Sequence, residues 1–153
     1  MVAGYSWRPN EKWNIEVNVD WTNWDKVNDL VMTNAYYFAP VALNWESAFL
    51  YEIGATRYFD NGWNVSAGYT YAENAITEND FTPLVPDANR NFLNFGVGRE
   101  YDNFSWQLVY QFSFDTKRTI SNTPTSATDP ALLTNGEYDL QSQSIAFSIG
   151  YKF

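Results

Sequence analysis

The chain has no cysteine and no histidine among its 153 residues. The first absence excludes disulfides, thiolate–metal sites and thiol catalysis; the second removes the commonest general base and metal ligand. Cations are scarce. Nine Lys and Arg stand against 18 Asp and Glu, for a net charge of -9, and an acidic surface is the opposite of what phosphate recognition needs, so nucleic acid is not an expected partner. The longest apolar run, residues 36–43, is broken by Pro40 and falls far short of the roughly 20 residues of a membrane helix. The start, Met1-Val2-Ala3-Gly4-Tyr5, is neither basic nor followed by an apolar stretch, so no signal peptide is expected in this chain, which reads as mature or as a fragment.

What is abundant is aromatic: 7 Trp, 11 Tyr and 11 Phe, 19% of the chain, in a sequence whose mean hydropathy is only -0.41. Trp and Tyr in such number suit a water–lipid interface. They fall in a period of two. At the C-terminus Ile145, Phe147, Ile149, Tyr151 and Phe153 alternate with Ala146, Ser148, Gly150 and Lys152. Successive side chains of a strand point to opposite faces, so one face is large and apolar and the other small and polar. A soluble barrel would turn the large face inward and put Lys and Glu outside; Gly, Ser, Asn and Thr suit a wet lumen.

The same alternation marks Trp13, Ile15, Val17, Val19 and Trp21 against Asn14, Glu16, Asn18, Asp20 and Thr22. It recurs over residues 45–59, 63–71, 93–101 and 104–114, with residues 2–7 as a short leading strand joined by the turn Arg8-Pro9-Asn10-Glu11-Lys12. Six full strands and one stub result. Asp60-Asn61-Gly62 supplies positive-φ positions for a tight hairpin, and Asp102-Asn103 a second short turn. Residues 74–91 and 116–139 are long and polar. Short turns on one rim and long loops on the other is the outer-membrane arrangement, with the short turns periplasmic. Residues 24–43 are ambiguous, since residues 24–38 extend the strand before them or residues 30–38 form a separate one that raises the count to eight.

A repeat relates Gly54-Ala55-Thr56-Arg57-Tyr58-Phe59-Asp60-Asn61 to Gly96-Val97-Gly98-Arg99-Glu100-Tyr101-Asp102-Asn103. Arg57 and Arg99 lie on the outward face close to a turn, where a long stem snorkels to the headgroups. They join Trp13, Trp21, Trp63 and Trp106 as expected interfacial anchors.

From about Leu43 onward the order of features resembles the C-terminal part of the FadL family of outer-membrane long-chain fatty-acid and hydrocarbon transporters. The resemblance rests on Asn44-Trp45, Tyr51-Glu52-Ile53-Gly54-Ala55, Tyr58-Phe59-Asp60-Asn61-Gly62-Trp63, Pro86-Asp87-Ala88-Asn89-Arg90 and the aromatic last strand, with Val19-Asp20-Trp21-Thr22-Asn23-Trp24 before them. It implies a fourteen-stranded barrel plugged by an N-terminal hatch, and passive passage of hydrophobic molecules through the barrel wall. The hatch, with the family's Asn-Pro-Ala motif, and the early strands have no counterpart in this sequence, so the family's main ligand positions cannot be carried over.

No catalytic, cofactor or metal site is expected. The inward acids Glu16, Asp20, Glu46, Glu52 and Glu100 read as lumen polarity rather than as catalytic pairs, and no His is present to activate a Ser or Thr. Loop carboxylates such as Asp80 or Asp129 have no spaced metal motif. Asp87 and Arg90 form an expected ion pair that fixes the long loop or gates substrate. Leu50, Phe92 and Val109 are the apolar exceptions on the inward face, and with Asp87 and Arg90 they are the candidates for substrate passage. The aromatic ladder of residues 104–114 faces lipid. Phe147, Ile149, Gly150, Tyr151 and Phe153 form an expected assembly signal for the barrel-assembly machinery.

The reading is an all-β, antiparallel transmembrane barrel segment spanning residues 1–153, in the bacterial outer membrane, contributing the C-terminal six or seven strands of a larger barrel. Its expected partners are membrane lipid or detergent, hydrophobic small molecules, and either a missing N-terminal barrel portion or a second copy. A self-contained eight-stranded anchor or adhesion barrel and a soluble lipid-binding barrel remain as alternatives.

Overall fold

The computed structural model describes residues 1–27, 29–30, 41–123 and 134–153. Strand β1 runs Val2–Asn10 and β2 Trp13–Thr22; a 3-10 turn, Trp24–Lys26, leads to the two-residue strands β3 (Asp29–Leu30) and β4 (Val41–Ala42). Then follow β5 (Ala48–Tyr58), β6 (Trp63–Ala72), β7 (Arg90–Glu100), β8 (Phe104–Phe114), β9 (Lys117–Ile120), β10 (Gly136–Asp139) and β11 (Gln143–Tyr151). Seven of these make one antiparallel sheet in the order β1-β2-β5-β6-β7-β8-β11, and β3–β4 and β9–β10 form two small ribbons of their own.

Strand formation follows the alternation. The outward residues are exposed: Tyr5, Val17, Ile53, Val65, Phe95, Leu108, Ile145 and Phe147 lie between 39% and 74% accessible. On the other face stand the small polar residues, of which Asn14, Thr70 and Ser113 are buried, while those of the edge strands, such as Ser6 and Ser148, are exposed. The sheet therefore exposes its large apolar side chains on one face and keeps small polar ones on the other, the inverse of a soluble barrel. Aromatic contacts run along the outward face, among them Phe49 on Tyr51 (5.8 Å) and Phe95 on Phe112 (6.4 Å).

Beyond the seven-stranded sheet, three sequence readings need correction. The leading strand is nine residues long, and Arg8-Pro9-Asn10 belongs to it, with a register irregularity between Trp7 and Asn10. Proline is compatible there because β1 is an edge strand, where a missing N–H costs no ladder bond. At the second hairpin, only Gly62 of Asp60-Asn61-Gly62 has positive φ, at 80°. A Cβ on Gly62 would collide with the Glu100 carbonyl oxygen, so that turn is also locked to the neighbouring hairpin. Third, β5 begins at Ala48 rather than at residue 45, because Asn44 takes a left-handed φ of 45° and turns the chain. Glu46 is thereby not a lumen acid; it lies outside the strand and its N–H donates to the Ala75 carbonyl (2.7 Å).

The full length of β1 also fixes a parity. With seven consecutive antiparallel strands, the two edge strands β1 and β11 run in the same direction. Counting from Trp13 would allow an antiparallel seam within the chain; counting from Val2 makes a direct β1–β11 seam parallel. Each edge has no partner on its outer side among the described residues. The proposed eighth strand over residues 30–38 lies mostly outside the described residues. Its first residue, Leu30, pairs with Val41 in a separate ribbon rather than with the sheet.

Candidate functional site

Short connections, β1–β2, β5–β6 and β7–β8, lie at one rim, and the three long ones at the other. At the long-loop rim a cap is built from residues 43–47, from the β6–β7 connection 73–89, and from the β9–β10 hairpin. Although the 116–139 stretch reads as a polar loop, it contains this hairpin, and Ile120 in it is only 1% exposed. Ile120 packs with Ile76 and Phe81, flanked by Trp45, Val85 and Tyr138, forming a hydrophobic core above the sheet.

Polar side chains close the cap at defined points. One Asp87 carboxylate oxygen accepts from the Ala75 N–H (2.8 Å), and the other accepts from the Ala88 N–H (3.0 Å) and lies 3.5 Å from the Arg90 guanidinium. Asn89 accepts from both the backbone and side-chain nitrogens of Asn74, each at 2.8 Å, so the two ends of the 73–89 connection are tied together. Asp80 receives Asn44 (2.8 Å) and Thr77 (2.6 Å) and thereby joins the β2–β5 connection to the same loop. Arg118 donates to the carbonyls of Asp87 (2.7 Å) and Ile76 (2.6 Å) while its guanidinium lies 5.2 Å from the Phe81 ring centroid. It pins the hairpin to the loop. Lys117 hydrogen-bonds Glu137 across the same hairpin (3.1 Å), which raises its pKa above the ordinary lysine value.

Between the cap and the sheet lies a cleft of about 250 Å³ whose wall includes Trp24, Trp45, Ile76, Val85, Asp87 and Arg90. Trp24 and Trp45 meet edge to face, with centroids 5.8 Å apart. Arg90 lies 5.9 Å from the ring centroid of Phe92, and its Nε is buried without a hydrogen-bond partner. Leu50, Ala72 and Arg90 form one inward-facing row across β5, β6 and β7. Four of the five passage candidates, Asp87, Arg90, Phe92 and Leu50, thus gather at the upper end of the sheet. Val109 does not join them; it sits deeper on the inward face, opposite Gly96 and Ala146.

Below the cleft the inward face is polar and open. Gly54 faces Gly68 across β5 and β6, and two hollows of about 170 and 220 Å³ open there against Glu16, Asn94 and their neighbours. Gln111 donates to Asn94 (2.6 Å) and Asn94 to Thr70 (3.3 Å), a side-chain ladder running across three strands. Glu100 is paired at the lower rim with Lys152 (2.7 Å), within the chain itself. Among the described residues no group of three or more carboxylates is placed to hold a metal ion, and Asp129 lies outside them.

Most of the anchor residues stand at the short-turn rim: Trp13 opposite Arg57 and Trp63 opposite Arg99, with Trp106 opposite Arg99 on the other side. Trp21 pairs with Phe49 near the long-loop rim instead. The terminal residues Phe147, Ile149, Tyr151 and Phe153 are exposed on the outward face of β11 and just beyond it, and Gly150 packs against Ser105. Sequence reading missed Trp24, Trp45, Ile76 and Val85 as a cleft and Arg118 as its fastening. The one local signal for the hairpin was the alternation of Arg118 and Ile120 with Lys117 and Thr119.

A family model described as "Outer membrane protein transport protein (OMPP1/FadL/TodX)" matches residues 2–153. No curated protein matches the chain. Among solved structures, the crystal structure of a Pseudomonas aeruginosa FadL homologue matches with a TM-score of 0.71 at 16% identity, over 97% of this chain and 33% of that one. The chain therefore spans about a third of the length of the barrel it resembles.

Proposed function

The chain belongs to the OMPP1/FadL/TodX family of outer-membrane transport proteins, and from that premise we propose that it forms the C-terminal wall and part of the outer mouth of a conduit for hydrophobic compounds. Long-chain fatty acids and hydrocarbons are the substrate class. The observation that carries this reading is the cleft at the long-loop rim, where Trp24, Trp45, Ile76 and Val85 present apolar surface beside the Asp87–Arg90 pair.

An apolar molecule gains roughly 25 cal/mol for each Å² it removes from water, and the tryptophan pair and the aliphatic wall offer that surface outside the membrane. Arg90 supplies the one cation on the wall and takes the head of a carboxylate ligand in competition with Asp87. Phe92 beneath Arg90, and Leu50 across Ala72, continue the apolar surface onto the inward face. Val109 is a lower contact along the same route. Lumen Ser, Thr and Asn side chains, with the open space left by Gly, keep the rest of the wall wet, so a hydrophobic molecule held at the mouth is not trapped along it. The protein acts as a conduit, not as a catalyst.

Uptake by cells tests this, using one labelled long-chain fatty acid and one labelled alkane. Trp45→Ala is expected to lower the uptake of both at least fivefold, and Arg90→Gln to lower fatty-acid uptake while leaving the alkane unchanged. Wild-type uptake of both compounds in Trp45→Ala would overturn the assignment of the cleft.

A further inference from the structure

The two arginines at the short-turn rim are built alike. Arg57 lies 5.0 Å from the ring centroid of Trp13 on the neighbouring strand and 5.5 Å from that of Phe59 two residues on. Arg99 lies 5.2 Å from Trp63 on its neighbouring strand and 4.6 Å from Tyr101 two residues on, with Trp106 edge-on to Trp63 at 5.7 Å. Both clamps arise from the internal repeat, because a residue one position before the end of β5 or β7 pairs with the first residue of the adjacent β2 or β6.

Aromatic faces stabilise the charge of a guanidinium but leave its N–H donors, which lie in the guanidinium plane, without acceptors. Neither arginine side chain makes a hydrogen bond or ion pair with a described residue, and Arg99 Nε is buried without a partner. Two neighbouring carboxylates are engaged by lysines, Asp60 by Lys12 at 2.9 Å and Glu100 by Lys152 at 2.7 Å, while Glu11, on the wall of the hollow beside Arg57, makes no ion pair with it. Beside the first clamp a hollow of about 430 Å³ opens, lined by Asn10, Glu11, Lys12, Trp13 and Arg57. Directly along the sheet from both clamps lie the exposed apolar side chains of Ile53, Val65 and Phe95.

A ligand for this arrangement has an anionic head with paired oxygens at the strand ends and apolar chains lying along the sheet. We propose that each clamp binds the phosphodiester of a glycerophospholipid in the periplasmic leaflet, Arg57 and Arg99 donating in fork geometry to the phosphate while the acyl chains cover the apolar face above. Two equivalent sites on neighbouring short-turn hairpins then fix the height and tilt of this wall in the membrane. A guanidinium merely reaching for water needs only its charge; a phosphate fork needs the planar donor set as well.

The test is native mass spectrometry of the protein extracted from outer membranes in mild detergent, titrated with phosphatidylglycerol and, separately, with diacylglycerol of the same chains. The wild type is expected to take up two phosphatidylglycerol molecules at least tenfold more tightly than diacylglycerol. Arg57→Gln and Arg99→Gln each lose one of the two, and Arg57→Lys, with its charge kept, still binds the first site several-fold more weakly. Heat-modifiable migration on a gel confirms that each variant is folded, and if one glutamine variant is not, the other and Arg57→Lys decide the matter. Unchanged stoichiometry and affinity in both glutamine variants, equal binding of diacylglycerol, or full retention by Arg57→Lys would each overturn the proposal.

Discussion

Replacing Ile53 with arginine tests which face of the sheet meets lipid. Ile53 is the central residue of the eleven-residue strand β5, points outward and is 52% exposed. Five residues separate it from either end of β5, and at about 3.3 Å per residue with a tilt near 40° this places it roughly 12 Å below the strand ends, close to the midplane of the apolar band. Arginine on the lipid face at that depth costs about 2–4 kcal/mol, equivalent to a shift of roughly 30-fold to nearly 1,000-fold in the folding equilibrium. Ser66→Arg is the matched control. Ser66 is on the inward face of β6 beside a hollow of about 220 Å³ that has Glu16 on its wall, so the new side chain meets space, water and a carboxylate. Reversible urea unfolding in lipid vesicles, followed by tryptophan emission, measures both variants. A cost for Ser66→Arg equal to or above that for Ile53→Arg would refute the face assignment and with it the reading of the sheet as a membrane wall.

Deleting Phe153 or substituting Tyr151→Asp is expected to reduce insertion in cells more than refolding in detergent, as measured by heat-modifiable band intensity, because both side chains are exposed at the end of β11 and pack little against the rest of the sheet. Arg118→Met removes two charged hydrogen bonds, each worth about 1.5–3 kcal/mol; hydrogen exchange is expected to rise over residues 73–89 with the strands of the sheet unchanged. Closure of the barrel is expected to use an odd number of further antiparallel strands between β1 and β11, so a Tyr5→Cys, Phe147→Cys double variant should form no intrachain disulfide on oxidation, and efficient formation would establish a direct parallel seam.

Strand positions, their two faces and the short hairpins were legible in the sequence, because a pleated backbone sends successive side chains to opposite sides and a local pattern of large and small residues records which side is which. The alternation of Trp13 to Trp21 or of Phe104 to Phe114 needs no knowledge of what the strand packs against. The extent of β1 was not legible: Pro9 reads as a breaker anywhere but on an edge, and only the order of the strands shows that β1 is one. That single strand decides the parity of the sheet. The cleft was likewise hidden, since Trp24, Trp45, Ile76, Val85 and Arg118 come from three connections without a period, joined by contacts such as Arg118 to Ile76 across 42 positions. The arginine clamps stood between these cases. The repeat containing Arg57 and Arg99 is plain in the sequence, but their tryptophan partners lie on neighbouring strands, and the register between strands is set by hairpin length and side-chain packing over the whole sheet.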